Sequence, residues 1–179
     1  RATGEVERRD LDEEQIIINE EVVQQIEEEE EVEQKGYRNI ALFGVDARDG
    51  ELGRGTRSDS IIIASINQDT QEIKLISVFR DTFLNLSNDT YNKCNAAYAQ
   101  GGPEQAINML NANLDLDITD YVTIGFAGLI DAVDALGGVE IEVTDSEISH
   151  LNNYQLCMAE ELGVDYIPVK SSGKQLLNG

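Results

Sequence analysis

Tryptophan is absent from this chain, histidine occurs once, proline and cysteine twice each, and no arginine follows Arg80. Each shortage closes off a class of chemistry. A solitary His150 leaves histidine-rich zinc sites and a serine–histidine triad poorly supported. No apolar run approaches the roughly 18 residues that a membrane-spanning helix needs. Positive charge is scarce, with 13 Lys and Arg against 35 Asp and Glu and a net charge of −22. That is the wrong sign for a phosphodiester backbone or an anionic lipid surface, and no nucleic-acid partner is expected. Outside the cell, Cys94 and Cys157 would close a loop of about sixty residues, worth roughly 4 kcal/mol on the chain-entropy model. The sequence fixes no distance between them, so two independent thiols remain the other reading. The chain starts at Arg1 without a signal-peptide pattern, as expected of a processed piece that has lost its targeting segment.

What positive charge there is has been gathered. Arg48, Arg54, Arg57 and Arg80 fall in one window and alternate with aspartates in Asp46-Ala47-Arg48, Arg57-Ser58-Asp59 and Arg80-Asp81. A guanidinium fork meets phosphate oxygens in pairs, and carboxylates hold a hard divalent cation. Such interleaving suits a site that holds a phosphorylated anion together with its metal. The acidity is uneven as well. Residues 1–36 read as an acidic arm with an unbroken run from Glu27 to Glu31, solvated or partly disordered. Its apolar pieces, Ile16-Ile17-Ile18 and Val22-Val23, are the parts able to pin it to the body as an edge strand or short helix.

The body begins near Tyr37, and 41% apolar content in 179 residues suffices for one domain. Asn39 to Val45 and Ser60 to Asn67 read as buried strands, and Ile73 to Val78 as a third beyond the turn Gln68-Asp69-Thr70-Gln71. So short a turn pairs its two strands antiparallel. Centring that hairpin places Arg57, Ser58 and Asp59 opposite Arg80 and Asp81, and Asp46 leaves its strand into the same kind of loop. Strand ends of an α/β sheet are where ligands commonly sit. A short helix from Asn95 stops at Gly101-Gly102, and a second starts at Pro103 and runs to about Leu114. Tyr121 to Ile124 and Val139 to Val143 read as strands. Phe126, Leu129, Ile130, Val133 and Leu136 define an amphipathic helix ended by Gly137-Gly138. Asp145 to Gly163 is expected to be partly helical, and Ile167 to Gly179 to be loop.

Other motifs fail. The glycine-rich stretch Gly50 to Thr56 lacks the Gly-Lys-Ser/Thr ending of a P-loop. Asp115, Asp117 and Asp120 lack the glycine and the closing glutamate of a calcium loop. No Gly-x-Ser-x-Gly elbow is present.

Asn39 to Asp46 with Arg48, Arg57-Ser58-Asp59-Ser60, Ser77-x-x-Arg80-Asp81, Lys93-x-Asn95-x-Ala97-Tyr98-x-x-Gly101-Gly102, Phe126-x-Gly128-Leu129-Ile130-Asp131 and Leu136-Gly137-Gly138-Val139 occur in one order. Together they resemble the LytR-CpsA-Psr family over residues 37–179. The resemblance implies an α/β fold with a mixed central sheet flanked by helices and an apolar channel for a lipid. It implies an extracytoplasmic phosphotransferase at the cell surface, held to the membrane by an N-terminal helix missing here. Such an enzyme moves a teichoic-acid or capsule-type glycopolymer from a polyprenyl-pyrophosphate carrier to peptidoglycan. Asp46 and Asp59 would hold Mg2+ (or Mn2+), while Arg57 and Arg80 would clamp the phosphates. Asp81 would orient Arg80 or take the acceptor's proton. Arg48, Lys93 and Asn95 would touch the head group. Phe126, Ile130 and Val133 would line the channel or belong to ordinary core. In the family the segment after a Leu-Asn-Gly such as Leu177-Asn178-Gly179 continues into a tyrosine–arginine stretch, so the domain is expected to lack its C-terminal end. Two alternatives stay open: a lipid-binding scaffold without turnover, and a polyprenyl pyrophosphatase.

Overall fold

The computed structural model describes residues 11–24, 36–47 and 52–179. They fall into two compact units, one holding the described residues up to Gly125 and the other Phe126–Gly179.

The first unit is built on a four-stranded mixed sheet of β1 (Tyr37–Val45), β2 (Ser58–Asn67), β3 (Ile73–Ser77) and β6 (Asp120–Ile124), in the order β3-β2-β1-β6. β1 pairs antiparallel with β2 and parallel with β6, and β2 pairs antiparallel with β3. The hairpin turn follows from Asn67, whose side-chain carbonyl accepts from the Asp69 and Thr70 amides at 2.9 and 2.8 Å. The strands are less uniformly buried than their apolar runs predict. In β1 only Ala41, Phe43 and Val45 are buried, and all five residues of β3 are exposed. A continuous apolar run reports appetite for burial, whereas the covering comes from elements elsewhere in the chain.

A hairpin of two short strands, β4 (Phe83–Asn85) and β5 (Tyr91–Lys93), follows the sheet. At three residues each, with polar Asn92 and Asn85, they carry too little periodicity to read from sequence. α1 (Asn95–Leu114) is bent at Gly102, whose φ of 73° and ψ of −160° only glycine adopts easily. The expected stop at Gly101-Gly102 is thus a kink, and Pro103 starts the second arm where its missing N–H costs little. Ile107, Met109 and Leu110 from that arm meet Phe43, Ile61 and Ile63 of the sheet in one core. Tyr98 lies at its centre, edge-on to Phe43 with 5.2 Å between ring centroids.

Part of the acidic arm is pinned to this unit. Leu11 and Ile16 pack on the core. Asn108 donates to the Gln15 carbonyl at 2.9 Å and accepts from the Ile17 amide at 2.8 Å. The run from Glu27 to Glu31 lies outside the described residues.

In the second unit α2 (Phe126–Ala135) leads through two left-handed glycines, Gly137 and Gly138, into β7 (Val139–Val143). α3 (Ile148–Leu162) follows, and β8 (Gly173–Leu177) returns antiparallel to β7. β8 corrects the expectation of a loop there. Its residues are poor strand formers, and it is the ladder to a strand some thirty residues earlier that makes it extended. α2 has no fully buried residue: Phe126, Ile130 and Val133 are half-buried and Leu129 is half-exposed. Both cysteines are free thiols, Cys94 buried in the first unit and Cys157 exposed in the second.

A candidate phosphate site at the strand ends

The loops leaving β1, β3 and β5 and the start of β2 open on one cavity of about 470 Å³. Asp46, Gly55, Thr56, Arg57, Asp59, Arg80, Asp81, Lys93 and Asn95 line it. The hairpin register does bring together residues twenty apart in the chain, as the turn geometry requires. Arg48 lies outside the described residues.

The backbone explains why Asp59 faces this space. Gly44 pairs with Ser60 and Val45 with Ser58, which leaves Asp59 as the extra residue of a β-bulge. Bulges re-aim side chains out of the regular alternation. A Cβ on Gly44 would lie 2.6 Å from the Ser60 hydroxyl, so glycine permits the close approach beside the bulge.

Arg80 is fixed from its main chain. Its carbonyl accepts from the Asn95 amide at 3.1 Å and from the Cys94 thiol at 3.3 Å, and the thiol also reaches the Phe79 carbonyl at 3.2 Å. The Cys94 amide holds the Thr82 carbonyl at 2.8 Å. The first residues of α1 therefore seat the loop that carries Arg80 and Asp81. Burial pushes the Cys94 thiol up, which keeps it the neutral donor that these bonds need.

The side chains form a continuous charged wall. Arg80 meets Asp59 at 2.5 Å and Asp81 at 3.8 Å, and Lys93 meets Asp81 at 2.6 Å. The hydrogen bond from Lys93, with the charges of Lys93, Arg80 and Arg57 behind it, holds the Asp81 carboxyl below its usual range. A carboxylate so stabilised is a weak base, and its geometry suits orienting Arg80. Arg57 is exposed and makes no ion pair with another described residue.

Three contributors have no site role that the sequence alone declares. Gly55 and Thr56 line the cavity, and the Gly55 amide closes the glycine-rich loop onto the Ala99 carbonyl at 3.0 Å. Tyr98 donates to the Leu52 carbonyl at 2.8 Å and meets the Thr123 hydroxyl at 2.9 Å, tying that loop and β6 to α1. The signal was present as the glycine cluster beside Arg57 and as the Ala97-Tyr98 pair, but neither residue type announces a tether.

Fold and cavity together define an α/β domain with a charged cavity at its strand ends. Residues 5–179 match the model of the LytR_cpsA_psr family, and the chain belongs to that family. It is 33% identical over 150 residues to a polyisoprenyl-teichoic acid–peptidoglycan teichoic acid transferase TagU of Oceanobacillus iheyensis, covering 80% of this chain and 43% of that one. The crystal structure of Bacillus subtilis TagV superposes with a TM-score of 0.58 at 27% identity, over 80% of this chain and 52% of that one. A structure of the family protein YwtF (TagT) with bound octaprenyl pyrophosphate shares the fold at 23% identity, TM-score 0.61, over 81% of this chain and 54% of that one. The chain spans about half the length of these relatives. These likenesses bear out the mixed α/β fold.

Proposed function

We propose that this domain transfers a teichoic-acid or capsule-type glycopolymer from a polyprenyl-pyrophosphate carrier to peptidoglycan, working outside the cytoplasm at the membrane surface. The observation that carries the reading is the meeting of Arg57, Arg80 and Lys93 with Asp46 and Asp59 around one open strand-end cavity. The transferase names of the relatives supply the substrate class.

In the reaction the acceptor hydroxyl oxygen bonds to the glycan-bearing phosphorus. The bridging bond to the lipid phosphate breaks, the lipid monophosphate leaves, and the hydroxyl proton passes to solvent. Arg57 and Arg80 bind the pyrophosphate oxygens and offset the charge that gathers on the departing phosphate. Asp81, itself held by Lys93, keeps Arg80 aimed.

Asp46 and Asp59 suit magnesium or manganese, because both are hard oxygen donors lining the same cavity. Among the described residues no cluster of three or more His, Cys, Asp or Glu could hold a metal alone. That matches an ion bound through one or two carboxylates and completed by phosphate oxygens and water. Such an ion would supply charge neutralisation on the phosphates.

The test is calorimetric binding of a short polyprenyl pyrophosphate, with and without magnesium, to the parent and to Asp46→Ala/Arg80→Ala. Metal-dependent binding that drops about a hundredfold in the double variant is expected, two charge-assisted contacts being lost. Equal binding by both proteins would place the lipid elsewhere and sink the reading.

A further inference from the structure

The β4–β5 hairpin presents a face that the transfer chemistry leaves unused. Its register sets Phe83 opposite Lys93 and Asn85 opposite Tyr91. Alternation therefore puts Phe83, Asn85, Tyr91 and Lys93 on one side and Leu84 and Asn92 on the other. Leu84 packs on the core. The other side faces solvent, with Phe83 67% and Tyr91 63% exposed. The two rings stack on each other, 6.0 Å between centroids and 26° between planes. Lys93, directly across from Phe83, is also a wall of the phosphate cavity. An exposed aromatic pair thus begins one strand position from the site.

Exposed aromatic rings on a chain of net charge −22 ask for an occupant. Nucleic-acid bases are excluded by that charge, because their backbone would be repelled. A lipid tail needs an enclosing apolar groove. This face is a narrow two-stranded ribbon with an amide and an ammonium among the rings. A polymer of phosphate units gains little from neutral ring faces in so acidic a chain. A neutral sugar strand fits all of this: its apolar C–H face lies on a ring while its hydroxyls and acetamido groups meet Asn85 and Lys93.

We propose that Phe83 and Tyr91, with Lys93 beside them, form the acceptor subsite, where a neutral N-acetylhexosamine strand stacks so that a hydroxyl enters the cavity lined by Arg80 and Lys93. The proposal rests on the transferase reading above and adds where the acceptor lies.

The probe is an N-acetylglucosamine tetramer, titrated by NMR into the parent, Phe83→Leu, Tyr91→Ala and Tyr91→Phe. Binding is expected in the parent, with shifts at the Phe83 and Tyr91 rings. Phe83→Leu and Tyr91→Ala should weaken it about tenfold or more, and Tyr91→Phe should retain it. Phe83→Leu keeps the residue apolar, so its loss reads ring stacking rather than greasiness. Polyprenyl-pyrophosphate binding should be unchanged in all three variants.

No tetramer binding by a parent that binds the lipid overturns the subsite and leaves the transferase reading standing. Tetramer binding lost in Phe83→Leu, by a parent that never binds the lipid, supports a sugar platform while the transferase reading falls. Lipid binding lost in Phe83→Leu would make the rings a lipid contact and overturn the proposal. So would a concentration-dependent mass in sedimentation that disappears in Tyr91→Ala, because the rings would then join two copies of the chain.

Discussion

In the first unit the Asn111 side chain donates to the Ile118 carbonyl at 3.0 Å and accepts from the same residue's amide at 2.9 Å. In the second unit Asn152 does the same to Val169, at 2.9 and 2.8 Å. Each asparagine stands in for a strand, answering both polar groups of one backbone residue in a loop. The surroundings differ. Asn111 and Ile118 are fully buried in the core, and Asn111 also donates to the Ile17 carbonyl at 3.2 Å. Asn152 is half-buried beside a buried Val169. Equal geometry therefore does not mean equal worth. Where water can reach, it replaces a lost partner; where it cannot, the orphaned group bears its full desolvation cost. The same contrast runs through the units as wholes, one with a dense apolar core and the other with half-covered helices and a largely exposed hairpin.

The contrast is broken most directly by deleting methylenes in each unit. Leu110→Ala removes a fully buried side chain and is expected to cost about 2–5 kcal/mol. Leu129→Ala, at 51% exposure on α2, should stay within about 0.5 kcal/mol. Urea unfolding followed by hydrogen exchange reads the two units separately. A Leu129→Ala cost matching that of Leu110→Ala would mean that α2 is covered in solution.

The asparagines sharpen the point at constant chemistry. Asn111→Ala orphans the amide and carbonyl of Ile118, at about 1–3 kcal/mol for each group left buried. Asn152→Ala should cost less than half as much, because solvent enters beside it. Hydrogen exchange at the Ile118 and Val169 amides checks this residue by residue. Equal protection losses would show that burial is not what separates the two brackets.

How much of this the sequence declares depends on the range of the interaction. The hairpin of β2 and β3 is local, so its turn residues alone place Arg57 and Asp59 across from Arg80. The helix from Phe126 shows in its apolar period, yet the period names a face and not a cover, and the face stays partly open. β8 escapes because its residues lack strand periodicity and its ladder is tertiary, and the β4–β5 hairpin because three residues a strand are too few to show a period. The bulge that exposes Asp59 is invisible for a sharper reason. It comes from a count of one residue in register between two strands, and no side chain records that count. Cys94 likewise reads only as half of a disulfide or an independent thiol, and only the folded chain shows it holding the carbonyls of Phe79 and Arg80.

The last comparison sets two carboxylates against each other, one in each unit. Asp81 is held below its ordinary value of 3.8, foremost by its hydrogen bond from Lys93. Glu147 is held below 4.5 by the Thr144 hydroxyl at 2.6 Å and the Thr144 amide at 2.8 Å, both donating to its carboxylate just ahead of α3. Since both folded-state values are depressed, both contributions are complete above the unfolded carboxyl range and are lost as pH falls through the folded values. The causes differ, and salt separates them. Asp81 depends on the charges of Lys93, Arg80 and Arg57 in an exposed wall, so molar salt should raise its titration midpoint toward the ordinary range. Glu147 depends on neutral dipoles and should scarcely move. Lys93→Met should raise Asp81 most of the way, Arg80 and Arg57 remaining, and leave Glu147 alone, while Thr144→Val should raise Glu147 only in part, since the amide remains. Side-chain carboxyl shifts followed by NMR from pH 6 to pH 2 read both groups in one experiment. An Asp81 midpoint that ignores both salt and the loss of Lys93 would show that this wall is not organised by its ion pairs, and Arg80 would then owe its position to the backbone bonds from Cys94 and Asn95 alone.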